Sequence, residues 1–513
     1  HTWLKESWAS YVESVWVEDT VGADEAEYYR CEQLRNYRLE ADGRYQRPIV
    51  TRHFDSAWDM YDGHLYPGGA VRLHMLRRKL GENAFWSGVR DYLTEFDGKL
   101  AETSDFIRCL ERRSGLSLQR FFDEWLHAPG YPKVRATFAW DAEKKLATVT
   151  LEETQRNAEK KVGLFELRVV VAFEVSEGVW EYRAIPLHDH ATVRLSAASK
   201  PLAVVIDPHG DLVYSLEWSP GLPMLSRALG APTVTGRIQA TRALAKKADA
   251  QAVAALEARF AIEPFWGVRV EIAQALGEVG TAPAAAAIAR LLASETSHLV
   301  RPHLARAAGQ YRDREIEAAL VAFLARDDVK RGGLHAVAAA LEALGKQRGD
   351  RHLDLLREHA LTSEGWGFVQ RGACAGLAET RSEGALAILE AALAPERKRP
   401  VRIAAAEAIG GLGRWLSTAK RAHAVELLVD LGRDTDYATR LAASRGLASL
   451  GAHEASAAFV SIERMAALQD VARIRRAARA ARGGDTAGGS NERLQKRIDE
   501  LEERLRNLER KGG

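Results

Sequence analysis

Cysteine is scarce in this sequence: Cys31, Cys109 and Cys374 are three in 513 residues, far apart and never in C-x-x-C spacing. That scarcity argues against a disulfide framework and a cysteine-built metal site, and it suits a reducing, cytoplasmic compartment. Long apolar runs are missing as well. No stretch of about 18 apolar residues occurs, so no segment reads as a membrane-spanning helix. Nor is there an excess of one charge: 72 basic and 70 acidic residues leave a formal net charge of +2. No overall field therefore recommends nucleic acid or an anionic membrane as a partner. What is present is an ordinary globular composition, 46% hydrophobic and 28% charged. The chain is too long for one core, and about two to four domains are expected.

Residues 1–129 read as mostly helical. In "GGAVRLHMLRRKLG" the pairs Val71/Met75 and Leu76/Leu80 share a helix face, and Gly81 is the C-cap. "TSDFIRCLERRSG" predicts a second helix with Thr103 or Ser104 as N-cap and Gly115 as its stop. From Tyr131 the apolar period becomes two. "KVRATFAWD" and "KKLATVTLEE" flank a short turn, and five further strands follow at close spacing, so residues 130–219 predict a small β-sandwich.

Residues 220–482 are alanine-rich and repetitive. "GVRVEIAQALGEVG", "GLHAVAAALEALG" and "PVRIAAAEAIGGLG" are variants of one unit, and Val268 to Val300 and Val369 to Val401 are both 32 residues apart. A two-helix unit of this length buries its apolar face only by stacking on neighbours. The pattern resembles HEAT repeats; the Thr-Pro-Leu-His signature of ankyrin repeats is absent. Arg269, Arg301 and Arg402 take similar places in the unit, which suits ladder contacts between repeats. The basic run "RRAARAAR" near residue 475 reads as a solvated helix face. Residues 483–491, "GGDTAGGSN", read as a flexible linker. In residues 492–513, Leu494, Ile498, Leu501, Leu505 and Leu508 alternate spacings of four and three, an a/d seam. That amphipathic, coiled-coil-like helix is expected either to self-associate or to dock on the solenoid.

One acidic residue stands out. In "HTWLKESWASY", Glu6 lies among Trp3, Leu4 and Trp8, where a carboxylate needs a cation, a metal or strong hydrogen bonds to compensate its burial. The stretch resembles the third-ligand helix of zinc aminopeptidases of the aminopeptidase N type, gluzincin metallopeptidases whose motif runs Trp-Leu-x-Glu-Gly-Phe-Ala-x-Tyr. "YDGHLYPGGAVRLHMLRRKLGENAFWSGVRDYLTEF" resembles the family's catalytic-tyrosine segment, and "FFDEWLHAPGYPKV" its junction into a β-sandwich. By this resemblance Glu6 is a zinc ligand and Tyr66 the catalytic tyrosine that stabilises the oxyanion. The implied architecture is multidomain and mainly α. It comprises the helical part of a thermolysin-like catalytic domain, a β-sandwich, a HEAT-like α-solenoid and a short terminal coiled-coil helix. The implied substrate is a peptide with a free amino terminus, with neither nucleic acid nor membrane as partner.

The sequence departs from the motif at Ser7 and Trp8, where Gly and Phe are usual, and at Gly68, where Lys is usual. The H-E-x-x-H pair and the G-x-M-E-N loop would lie before residue 1, and the one His-Glu pair, His453-Glu454, is followed by Ala-Ser-Ala. The expectation is therefore a fragment, inactive alone, of a zinc aminopeptidase. The alternative is a catalytically inactive, peptidase-like scaffold that binds other proteins through its repeats. His53, His64 and His74 lie at spacings that do not share a helix face and read as core or surface histidines, and Tyr61 as a core tyrosine.

Overall fold

The structure, a computed structural model, describes residues 1–54, 57–159, 162–362 and 366–451. The chain divides into two compact units, residues 1–275 and 276 onward.

The first unit opens with α1 (Trp3–Thr20) and α2 (Ala23–Gly43). Gly22, at φ 133°, makes the reversal between them, a conformation closed to most L-residues. After an irregular stretch, one turn of π-helix (His64–Gly68) leads into α3 (Gly69–Leu80), followed by α4 (Glu82–Glu95), α5 (Thr103–Ser114) and the short α6 (Gln119–Phe122). As the sequence suggests, α3 ends at Gly81 and α5 at the left-handed Gly115. The helices enclose Trp3, Phe85, Phe106 and Phe122. Trp3 meets Phe106 edge-on at 5.9 Å, and Trp8 stacks on Phe85 at 5.9 Å. Each fully buried side chain of this size contributes about 1.5–3 kcal/mol.

The cap of α5 differs from the expectation of Thr103 or Ser104. Glu102 is the N-cap and forms a capping box with Asp105, whose Oδ2 accepts from the Glu102 amide at 2.7 Å. Thr103 is buried instead, and its hydroxyl accepts from Trp3 Nε1 at 2.8 Å. A tertiary partner has claimed the side chain that local pattern assigned to the cap.

Seven strands follow: β1 (Lys133–Asp141), β2 (Leu146–Glu153), β3 (Leu167–Ser176), β4 (Val179–Leu187), β5 (His190–Ser196), β6 (Ala203–Ile206) and β7 (Ser215–Trp218). They form a four-stranded sheet ordered β5-β2-β1-β7 and a three-stranded sheet ordered β4-β3-β6. Period-two alternation buries Ala147, Val149 and Leu151 from β2, and Val169, Val171 and Phe173 from β3. Then come α7 (Leu222–Ala228), α8 (Val234–Ala245), α9 (Ala250–Ile262) and α10 (Trp266–Val279). The buried Glu271 carboxylate on α10 takes both Arg35 of α2 and Arg242 of α8, which ties these helices to the amino-terminal ones.

The second unit is a two-layer stack of helices: α11 (Ala282–Ser294), α12 (Arg301–Ala308), α13 (Arg314–Ala325), α14 (Asp327–Gly332), α15 (Leu334–Gly345), α16 (Leu353–Thr362), α17 (Phe368–Glu379), α18 (Ala385–Leu393), α19 (Arg399–Leu412), α20 (Thr418–Leu431) and α21 (Tyr437–Leu450). One layer runs α12, α15, α17, α19, α21, each packed on the next; α16, α18 and α20 follow one another in the other layer. Small residues let the first layer close. A Cβ placed on Gly376 would meet the Leu341 carbonyl oxygen at 2.5 Å, so glycine sets the approach of α17 to α15. Arg402 donates to the Leu393 carbonyl at 2.9 Å and pairs with Asp434 at 2.7 Å, bridging the units before and after its own. Arg301 likewise joins the Glu295 carbonyl to Asp328.

The basic run near residue 475, the linker at 483–491 and the heptad segment at 492–513 lie outside the described residues. Among the described residues no helix is long and apolar enough to cross a membrane.

Candidate active site

Glu6 sits on the inward face of α1 with Trp3, Ser7 and Tyr11, and is only 8% exposed. Its Oε1 lies 3.1 Å from Nζ of Lys5, whose own side chain is exposed. The Tyr66 hydroxyl faces the same carboxylate. Burial first, and Glu6 second, raise the Tyr66 pKa above the ordinary phenol value. The hydrogen bond with Glu6, then its charge, with smaller effects from Tyr61 and Tyr66, likewise raise Lys5. Tyr61 stands 6.2 Å from the Tyr66 ring and Trp58 stands 5.5 Å from Tyr61, both exposed. The structure therefore brings Glu6 and Tyr66 together, 60 residues apart in sequence, on a surface bordered by aromatic rings. Tyr61, expected in the core, is 42% exposed and belongs to that border.

Three devices hold Tyr66 in place. Ser7 Oγ donates to the Leu65 carbonyl at 2.6 Å in a fully buried contact between α1 and the π-turn. Gly69 packs on Ser7 so closely that any Cβ there would collide with the serine side chain. Gly68 is equally constrained, because its Cβ would lie 2.8 Å from the Tyr37 ring. The two departures at Ser7 and Gly68 thus both have structural uses.

The second device is Asp62. Its Oδ1 accepts from the amides of His64 and Leu65 at 3.0 and 2.9 Å, capping the π-turn. Arg47 grips it bidentately, Nε to Oδ2 at 2.8 Å and Nη2 to Oδ1 at 2.6 Å, and the Tyr45 hydroxyl adds a bond of 2.6 Å. Burial opposes ionisation of Asp62, but hydrogen bonds from His64, Arg47 and Tyr45 win and hold its pKa well below the usual carboxylate range. Arg47 also donates to the carbonyls of Pro48, Ile49 and Met60 at 2.7, 3.0 and 3.2 Å, which pins the irregular stretch before the turn.

Arg72 is the third. This buried guanidinium donates to the Gly68 carbonyl at 2.7 Å, the Tyr37 hydroxyl at 2.8 Å and the Gly130 carbonyl at 3.1 Å. It lies 4.6 Å from the centre of the Tyr37 ring and 5.8 Å from that of Trp125. Neutral acceptors and π-faces compensate its charge.

The histidines have other duties. His64 is buried between Tyr37 and Tyr45, 3.4 Å from Asp62, and His74 is buried 3.0 Å from Asp211. His53 is exposed. Among the described residues no group of three or more His, Cys, Asp or Glu side chains is placed to hold a metal ion. Glu6 therefore offers a single carboxylate.

Sequence reasoning missed Asp62, Arg47, Tyr45 and Arg72. An Asp-Gly pair just before a helical run is a capping signal that could have found Asp62. Arg47 lies in an irregular stretch and carries no such signal.

Residues 1–125 match the peptidase family M1 domain, and residues 336–410 match HEAT repeats. Aminopeptidase N of Lactococcus lactis is 32% identical over 143 residues, 26% of this chain and 16% of that protein. Glutamyl aminopeptidase of Sus scrofa is 33% identical over 141 residues, 25% of this chain and 14% of the relative. These matches span only a small part of each relative's length. The crystal structure of Legionella pneumophila aminopeptidase A in complex with aspartic acid is similar in fold, with a TM-score of 0.62 at 12% identity, covering 93% of this chain and 62% of that one. The amino-terminal region of the chain is thus similar to the peptidase family M1 domain, and a stretch of its carboxy-terminal half is similar to HEAT repeats.

Proposed function

We propose that this chain supplies the glutamate ligand and the oxyanion-binding tyrosine of a zinc-dependent aminopeptidase that removes amino-terminal residues from peptides. The observation that carries this reading is the meeting of the Tyr66 hydroxyl with the Glu6 carboxylate beside Tyr61 and Trp58. Catalytic zinc sites use three protein ligands. One carboxylate does not make such a site, and the sequence contains no H-E-x-x-H. The two imidazoles and the general-base glutamate must come from outside these 513 residues, and the chain alone is inactive on peptides.

Zinc, when bound, supplies polarisation of the scissile carbonyl and an activated water. Glu6 would hold it. Tyr66, with a raised pKa, stays a neutral phenol at neutral pH and donates its O–H to the developing oxyanion. The heptad segment at 492–513 would allow self-association. The scaffold alternative rests on the departures at Ser7 and Gly68 and on the terminal heptad segment; since one departure braces the π-turn and the other packs on Tyr37, neither marks a decayed site.

Tyr66→Phe in the complete product of the encoding gene tests the reading. Its kcat on an aminoacyl-coumarin substrate should fall about 100- to 1,000-fold with zinc content and KM little changed. An unchanged kcat would remove Tyr66 from the reaction, and inactivity of the unaltered product would favour the scaffold.

A further inference from the structure

Four successive repeats of the second unit place an arginine in the same turn, between a helix of the α12-α15-α17-α19 layer and the helix that follows it. Arg312 follows α12, Arg348 follows α15, Arg381 follows α17 and Arg414 follows α19. Neighbouring turns are bonded to each other. The Gln347 side chain donates to the Tyr311 carbonyl at 2.8 Å, the Gly349 amide to the Thr380 carbonyl at 2.9 Å, and the Arg381 guanidinium lies 4.2 Å from the centre of the Trp415 ring. The four arginines thus form one row along one edge of the stack.

Two features set this row apart from ordinary surface charge. Arg348 and Arg381 hold φ at 69° and 55°, a left-handed conformation that L side chains disfavour. Backbone strain of this kind concentrates at working surfaces. Among the described residues, no ion pair within 4.0 Å is formed by any of the four, although Glu379 acts on Arg348 from further off. Three carboxylates nearby are committed elsewhere. Asp313 caps α13, Glu317 holds Arg351 and His352, and Glu383 takes the Ser417 amide and Lys420. Desolvation, then repulsion from Arg312 and Arg381, lowers the pKa of Arg348, with Glu379 opposing. Like charges have been gathered rather than dispersed.

We infer that this arginine row is a docking edge for an extended acidic polypeptide segment. The spacing selects the ligand. Packed helices stand about 8–10 Å apart, and a polyproline II strand presents the same side-chain direction every third residue, about 9 Å along its axis. One carboxylate per turn of such a strand meets one arginine per repeat. Arginine suits the task because its planar fork takes a carboxylate bidentately, and the Trp415 ring pre-orients Arg381. Nucleic acid fits less well. The row is one side chain wide and offers one positive charge about every 8–10 Å, too sparse for a strand that carries a phosphate on every nucleotide.

The test is fluorescence anisotropy of a labelled peptide of about five Glu-Pro-Pro repeats with the 513-residue chain, at low and at physiological salt. Binding is expected, weakening with salt. The Arg312→Gln/Arg348→Gln variant should lose at least about tenfold in affinity, while Arg357→Gln, an exposed arginine paired with Asp354, should change it less than about twofold. Thermal midpoints of both variants should match the parent, since all three arginines are exposed. No binding, equal binding by the double variant, or tighter binding of a single-stranded oligothymidylate would each overturn the proposal, the last in favour of nucleic acid.

Discussion

The Ser7 hydroxyl donates a 2.6 Å hydrogen bond to the Leu65 carbonyl oxygen, and both residues are fully buried. Each is one residue away from a member of the candidate site, Glu6 or Tyr66. The bond therefore fixes α1 against the π-turn at the place where carboxylate and phenol meet. Ser7→Ala removes it and should cost about 1 kcal/mol of stability, read as a lower midpoint in urea at unchanged slope. No change in midpoint would mean that packing of Gly69 on Ser7, rather than the hydroxyl, holds the two elements.

Arg47 is expected to matter more. Its pair with Asp62 is largely buried, at 11% and 3% side-chain exposure, and removing the cation strands the carboxylate. Arg47→Gln should destabilise by about 3–5 kcal/mol. Arg47→Lys should recover only part of this, because an ammonium cannot reproduce the fork to both carboxylate oxygens. Chemical unfolding of the two variants measures the difference; full rescue by lysine would show that charge alone suffices.

A second buried carboxylate sets the pH dependence. Asp207 accepts the amides of Asp211 and Leu212, both at 3.1 Å, yet burial, with repulsion from Asp211, pushes its pKa up to about 8. In the unfolded chain the same group titrates at its ordinary 3.8. The folded state thus keeps a proton that the unfolded state releases, so this group's contribution is full below about pH 4 and is lost as pH rises toward about 8. Asp62, held below its ordinary value, acts in the opposite sense: its contribution is present above the ordinary carboxylate pKa and is lost as pH falls through its folded value. Asp207→Asn should flatten the decline of the thermal midpoint between about pH 5 and pH 8. An unaltered slope would mean that Asp207 is ionised in the fold.

In the solenoid, Gly376→Ala should push α15 and α17 apart, because the new Cβ would meet the Leu341 carbonyl oxygen at 2.5 Å. Overpacking of this kind costs about 1–3 kcal/mol, visible as a lower unfolding midpoint for helical circular dichroism. The alanine-rich inner layer itself was legible in the sequence, since periodic small residues and a fixed repeat length demand stacked helices. So were the seven strands, where alternation of residues such as Ala147, Val149 and Leu151 marks one buried face. Glu6 and Tyr66 were named as candidates from their motifs, and the fold brings the two side chains together. The brace around them was not legible. Asp62, Arg47 and Tyr45 converge from an irregular stretch where no period constrains the reading, and Arg72 is an arginine on a helix face whose burial depends on Tyr37 and Trp125 from two other elements. Thr103 shows the same limit in miniature, since its apparent capping role yields to Trp3, 100 residues away.

Zinc analysis of the complete gene product beside its Glu6→Ala variant decides the matter most directly. Stoichiometric zinc in the parent, with most of it and the aminopeptidase activity lost in Glu6→Ala, is the result expected if Glu6 is a metal ligand. Zinc retained in full by the variant, or absent from the parent, would contradict the assignment and leave Glu6 as a carboxylate paired with Lys5 and Tyr66 alone.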